Sequence, residues 1–242
     1  MIHWDYEKFE MKILAIETST DACSCALWLN EEIREQFVLA PRSHGTLILS
    51  MVDELLREGG LGLKELDGLA FGCGPGAFTG LRIAAGVVQG LAFAAELPVV
   101  AISSLAALAQ ATRNYSPHGE IGEQILAIQD ARMGEVYHGA FRRGSDFLVR
   151  VVGAVSVCRP EQVTLPPGDG GWIIVGSGWG THGTVLIQSL TGSAITILSE
   201  LLYPRAGDVA RLAVSELAAG RGMPAEQALP VYLRQLSLKM CA

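Results

Sequence analysis

Basic runs are almost missing from this sequence. The longest is Arg142-Arg143, and 18 Lys and Arg stand against 25 Asp and Glu, a formal net charge of -7. Such a chain repels a polyanion overall, which argues against strong autonomous binding to nucleic acid; a role on RNA needs a partner that supplies positive surface. Zinc and disulfide frameworks are missing too. The five cysteines (Cys23, Cys25, Cys73, Cys158, Cys241) are odd in number and contain no CxxC pair, and a reducing cytoplasm fits them best. The five histidines (His3, His44, His118, His138, His182) show no ligand spacing, and there is no HExxH, so a zinc-protease reading fails. The N-terminal MIHWDYEKFE is charged and lacks an apolar centre, which argues against a signal peptide. Residues 83–112 and 170–198 are nearly free of charge, but Pro98, Ser103-Ser104 and many Gly and Thr break them. Neither reads as the roughly 20 continuous apolar residues of a membrane span.

What is present is a well-filled globular protein: 50% of residues are apolar and 18% charged. The length predicts one bilobed unit. Residues 1–10 do not share the pattern of the rest of the chain and read as an extension. Residues 11–112 form an N-terminal lobe with the pattern βββαβαβα: strands over 12–16, 23–29 and 33–39, a helix from a Ser43 cap to Gly59-Gly60, a strand over 66–71, a helix over 80–95, a strand over 98–102 and a helix towards Ala111. Asn114 to Gly122 is a polar boundary. Residues 113–242 form a second lobe and tail, with strands over 124–129, 135–141, 147–152 and 172–175 and a helix over 208–219. Both halves open with short antiparallel strands around an acidic turn, a weak repeat of architecture.

The stretch Gly72-Cys73-Gly74-Pro75-Gly76-Ala77-Phe78-Thr79-Gly80-Leu81-Arg82 has the strand, glycine loop, helix layout of many nucleotide sites. A P-loop requires Lys after Gly80, where Leu81 stands. The dinucleotide fingerprint GxGxxA fits Gly72 to Ala77, but Pro75 has no N–H to donate, and the next strand ends in serines where an acid is wanted. The loop therefore reads as a sharp reversal, with Gly74 and Gly76 flanking a rigid proline and Thr79 capping the helix. Arg82, at the wrong end for the helix dipole, is expected to be held by a carboxylate or a carbonyl. From Ile83 to Ala95 the helix has no charge and one polar side chain, Gln89. Apolar all round predicts cover on two sides: the sheet, and either the Ser43–Glu58 helix or another chain. Gly86 and Gly90, four apart, allow a second helix to approach closely.

Ile13 to Ser19, the helix at His44, the loop GPGAFTGLR, the segment DARMGEVY (Asp130 to Tyr137) and the tail PVYLR (Pro230 to Arg234) together resemble the TsaB (YeaZ) family over nearly the whole chain. The resemblance implies a bilobed actin-like ATPase or sugar-kinase (ribonuclease H-like) α/β fold with two related lobes. It implies a cytoplasmic, non-catalytic scaffold of the bacterial complex that forms N6-threonylcarbamoyladenosine in tRNA. The partners implied are the catalytic paralogue TsaD, bound side by side, and the ATPase TsaE, with a homodimer when TsaD is absent and tRNA met only through the complex. No cofactor and no membrane are implied. In the catalytic paralogue two histidines four apart bind a metal; the matching positions here are Ser104 and Leu108, which supply no such pair.

Three groups of residues become candidates. A partner interface is expected on Leu47, Met51, Leu55, Ile83, Gly86, Val87, Gly90 and Phe93. Remnants of a nucleotide cleft are sought at Glu17, Thr18, Asp130, Gly176 and Gly178, against plainer readings: for Glu17 and Asp130, turn residues bonding their own backbone, and for Gly176 to Trp179, a strand-end turn with a stacking Trp. The family motif covers His44, Gly74, Pro75, Gly76, Phe78, Thr79, Gly80, Arg82, Arg132 and Tyr137, with His44 read as a neutral capping or interface residue. The competing function is an ATPase or small-molecule kinase of the same fold that uses Glu17 and Asp130 around a magnesium nucleotide.

Overall fold

A computed structural model describes residues 11–115, 122–167, 170–190 and 192–234. The first half runs β1 (Lys12–Glu17), β2 (Ala22–Leu29), β3 (Glu32–Leu39), α1 (His44–Gly59), β4 (Gly68–Gly74), α2 (Phe78–Ala95), β5 (Val99–Ser103) and α3 (Ser104–Gln110). The second runs β6 (Gln124–Arg132), β7 (Glu135–Arg143), β8 (Val149–Cys158), β9 (Trp172–Val175), α4 (Ser177–Ser189), β10 (Ile195–Leu198) and α5 (Ala206–Ala218). The first sheet has the order β3-β2-β1-β4-β5 and the second β8-β7-β6-β9-β10. In each, the first three strands pair antiparallel and the last two join in parallel. The weak repeat in the sequence is thus a full repeat of topology, and the molecule is a two-lobed α/β protein.

Strand alternation distributes the core over three layers. Ile13 and Ala15 of β1, Ala26 of β2 and Ile125 and Ala127 of β6 face a central layer shared with α3 and α5. Leu14, Ile16, Cys23, Cys25 and Leu27 face the other way, against α1 and α2. Leu126, Ile128 and Ile174 face outward under α4. The order is therefore helices, sheet, helices, sheet, helix. Because both faces are covered at the centre of the first sheet, β1, β2 and β4 read as nearly continuous apolar runs.

Several expectations are corrected. The boundary at residue 112 does not divide the lobes, since α5 packs on the first sheet, Met223 bridges to Val99, and the Val231 N–H donates to the Cys73 carbonyl at 2.8 Å. β4 runs on through Gly74, and α2 starts at Phe78 rather than Gly80. Ser43 and Thr79 cap nothing with their hydroxyls; the N-cap of α2 is Ala77. Phe147 sits at φ 60° in the turn before β8. Helix α4 and strand β10 went unforeseen, because Gly and Thr dilute their apolar pattern. Residues 1–10 and 116–121 lie outside the described residues.

Candidate functional site

Helix α2 lies on the first sheet through Leu81, Ala84, Ala85, Val88 and Ala92, all buried. By length and composition alone it would suit a bilayer, with mean hydropathy 1.4; here one side packs on the sheet. Its other side is left open by the described residues. Ile83 and Val87 are half-buried, Gly86 and Gly90 exposed, and Phe93 is 80% exposed. A Cβ added to Gly86 or Gly90 would find no atom within 4 Å. Beside this stripe, α1 exposes Leu49, and its Gly45 approaches Ile83, whose Cδ1 would lie 3.7 Å from an added Cβ. The positions 83, 86–87, 90 and 93 recur at helical spacing, so they form one apolar, small-residue face. Two expected members do not belong to it: Met51 and Leu55 are buried in the layer beneath α1, because that helix turns this side to the sheet. Leu47 is half-buried. Leu49, which the sequence reading missed, was hidden by its place next to the inward-facing Ile48.

The glycine loop is packed, not open. A Cβ on Gly80 would run into the Thr18 carbonyl oxygen, and one on Gly76 would lie 2.5 Å from that of Ser19. The Ala77 N–H donates to the Ser19 carbonyl at 2.7 Å, and the Thr18 hydroxyl donates to the Gly80 carbonyl at 2.8 Å. Gly74 sits at φ 119°, where its own Cβ would meet the Val231 carbonyl at 2.7 Å. These glycines therefore serve close backbone approach to the β1–β2 turn and to the tail. Pro75 is buried, Thr79 exposed. Among the described residues Arg82 is held by neither carboxylate nor carbonyl: its guanidinium lies 3.9 Å over the Phe78 ring and its Nε donates to the Tyr232 hydroxyl at 3.1 Å. An aromatic pair, Phe78 and Tyr232 at 5.4 Å, satisfies it instead.

Between the lobes lies a cavity of about 220 Å³, lined among others by Ser19, Asp21, Ala77, Gln129, Asp130, Arg132 and Tyr137. Arg132 spans it, 3.3 Å from both Asp130 and Asp21, which gives that motif residue a place the sequence did not. His182 Nε2 stands 3.8 Å from Asp130. Glu17 is not in the cleft. Its carboxylate is buried, accepting from the Ser19 N–H at 2.5 Å and the Ser104 hydroxyl at 2.8 Å. Burial pushes its pKa up, against those hydrogen bonds. Thr18, also buried, spends its hydroxyl on Gly80. Gly176 and Gly178 bring the start of α4 onto β6: a Cβ on Gly176 would strike the Ile128 carbonyl, and one on Gly178 would lie 2.6 Å from Ile128 Cγ2. They open a helix, where a strand-end turn was expected. His44 is buried as well, and its Nε2 donates to the Ala22 carbonyl at 3.1 Å, so it is no interface residue within this surface.

The remaining reactive groups are quiet. Burial pushes the Cys73 thiol, inside the loop motif, up to about 11, so it is no ready nucleophile. Ser104 gives its hydroxyl to Glu17, and Leu108 lies in the central layer.

The family model described as TsaD, tRNA N6-adenosine threonylcarbamoyltransferase, matches residues 37–176. The tRNA threonylcarbamoyladenosine biosynthesis protein TsaB of Escherichia coli K12 is 38% identical over 226 residues, covering 93% of this chain and 95% of that one. TsaB of Haemophilus influenzae is 40% identical over 231 residues, covering 93% and 94%. The structure of YeaZ from Pseudomonas aeruginosa superposes with a TM-score of 0.83 at 42% identity, covering 92% of this chain and all of the other.

Proposed function

We propose, from the premise that this chain belongs to the TsaB family, that it is a non-catalytic subunit which binds and activates a TsaD-type enzyme in the formation of threonylcarbamoyladenosine on tRNA. The observation that carries the proposal is the uncovered face of α2, with Gly86 and Gly90 open and Phe93 80% exposed. Gly at two helical positions costs about 1 kcal/mol each relative to Ala; close approach of a partner helix offsets it. TsaE joins the pair, and tRNA is met through the complex, as the net charge of -7 requires. Without TsaD the same face pairs two copies. Ser104 and Leu108 offer no metal-binding pair, and Glu17, tied down by Ser19 and Ser104, is not free to hold a magnesium nucleotide.

Co-purification with the TsaD-type partner, together with tRNA nucleoside analysis, tests this reading. Gly86→Arg and Gly90→Arg place charge where, among the described residues, an added Cβ meets nothing within 4 Å, so each variant is expected to fold but to lose the partner and the modification. Retention of both would overturn the proposal. Calorimetry with ATP and magnesium tests the kinase reading; micromolar binding abolished by Glu17→Gln would replace the scaffold with an enzyme.

A further inference from the structure

A second junction between the lobes holds a cavity of about 420 Å³ that shares no residue with the cleft. Trp28 from the end of β2, Arg113 after α3, Phe147 and Leu148 from the turn before β8, and Arg211 and Val214 of α5 form its walls. Several arginines elsewhere hold a carboxylate. Arg150 holds Asp146, Arg205 holds Glu35, Arg221 holds Glu216 and Arg143 holds Glu123. Among the described residues, no carboxylate lies within ion-pair distance of Arg113 or Arg211.

Arg211 stands 5.6 Å over the Trp28 ring. Trp28 is 8% exposed, and its indole N–H has no acceptor among the described residues. Burial first, and then the neighbouring Arg113, disfavour the charge on Arg211, while Asp208 favours it. Two like charges and an orphaned indole donor thus share one pocket, an arrangement that costs free energy unless an acceptor of negative charge completes it. The acids that reach the cavity do not fill that role: Asp146 is spent on Arg150, and Glu31 sits exposed in the β2–β3 turn. Asp208, one turn earlier on α5, is outside the lining.

We propose that this pocket binds a small organic oxyanion, a carboxylate or phosphate monoester on an apolar body, with its head between Arg113 and Arg211 and its body against Phe147, Leu148 and Val214. The bidentate fork of each guanidinium suits such a head, and the apolar wall selects against a bare inorganic ion.

The experiment is a titration of the full chain with phenyl phosphate, read on the Trp28 indole N–H by heteronuclear NMR, the peak being assigned through Trp28→Phe. A saturable shift is expected below about 10 mM, with inorganic phosphate weaker and benzyl alcohol without effect. Arg113→Gln, a change at an exposed side chain, weakens binding several-fold, and the Arg113→Gln/Arg211→Gln pair at least about tenfold. No saturable shift, equal response to benzyl alcohol, or unchanged affinity in Arg113→Gln would overturn the assignment. The outcome is independent of whether α2 docks a partner.

Discussion

The Glu17 carboxylate accepts the Ser104 hydroxyl at 2.8 Å inside the first lobe. That one bond joins β1 to the start of α3 and withdraws the first acid of the β1–β2 turn from the cleft. It also explains Gly72, where a Cβ would run into Glu17 Oε2. Glu17→Ala strands two buried donors and is expected to cost about 2–4 kcal/mol in chemical denaturation, Gly72→Ala about 2–3 kcal/mol, and Glu17→Gln within about 1 kcal/mol. Near-neutral Glu17→Ala would show that the carboxylate is not structural.

The glycines of the loop and of the helix behave oppositely. Gly80→Ala pushes a methyl into the Thr18 carbonyl and lowers the melting temperature or prevents folding. Gly86→Ala meets nothing and raises stability by about 0.5–1 kcal/mol through helix propensity alone. Thermal melts of the two variants side by side decide the matter; equal effects would contradict the packing described.

Asp208, in the first turn of α5, is pushed up from 3.8 to about 7, chiefly by burial, with Glu35 raising it and Arg211, Arg205 and Arg113 lowering it. A raised carboxyl favours folding in its neutral form. That contribution is whole below pH 3.8, declines as pH climbs through about 7, and is gone above. The stability gap between Asp208→Asn and the parent therefore widens from pH 4 towards 7 and then levels, at about 4 kcal/mol at most. A gap that does not change with pH would remove the assignment.

Arg143 is fully buried, pairing with Glu123 at 3.0 Å and donating to the Thr112 hydroxyl and the Phe147 carbonyl. It ties the segment after α3 to the second sheet. Glu123→Ala leaves a fully buried cation without its counterion and is expected to cost about 3–5 kcal/mol, whereas Arg143→Met costs less, because the Glu123 carboxylate it strands keeps some contact with water, 11% exposed against 0% for Arg143. Urea unfolding of the two variants gives the order; the reverse order would mean the pair is solvated.

Much of the fold was legible. The alternation of Ile13 and Ala15 with Leu14 and Ile16 announced a strand covered on both faces, and the uncharged run from Ile83 to Ala95 announced a helix with two apolar sides. Leu81 already denied the loop a phosphate-binding lysine. Arg82 was misjudged because its partner, Tyr232, lies 150 residues away. Met51 and Leu55 were misplaced because periodicity marks an apolar face without saying what lies against it.

The sequence by itself determined most of the elements, the two-sided burial of the central strands and the chemistry the glycine loop lacks, since each arises from local spacing and residue type. Only the tertiary structure decided that α5 and the tail return to the first sheet, that Glu17 is locked away from the cleft, and that Arg113 and Arg211 line one cavity with Trp28. Those are contacts between distant segments, fixed by which buried faces and charges fit together once the chain has closed on itself.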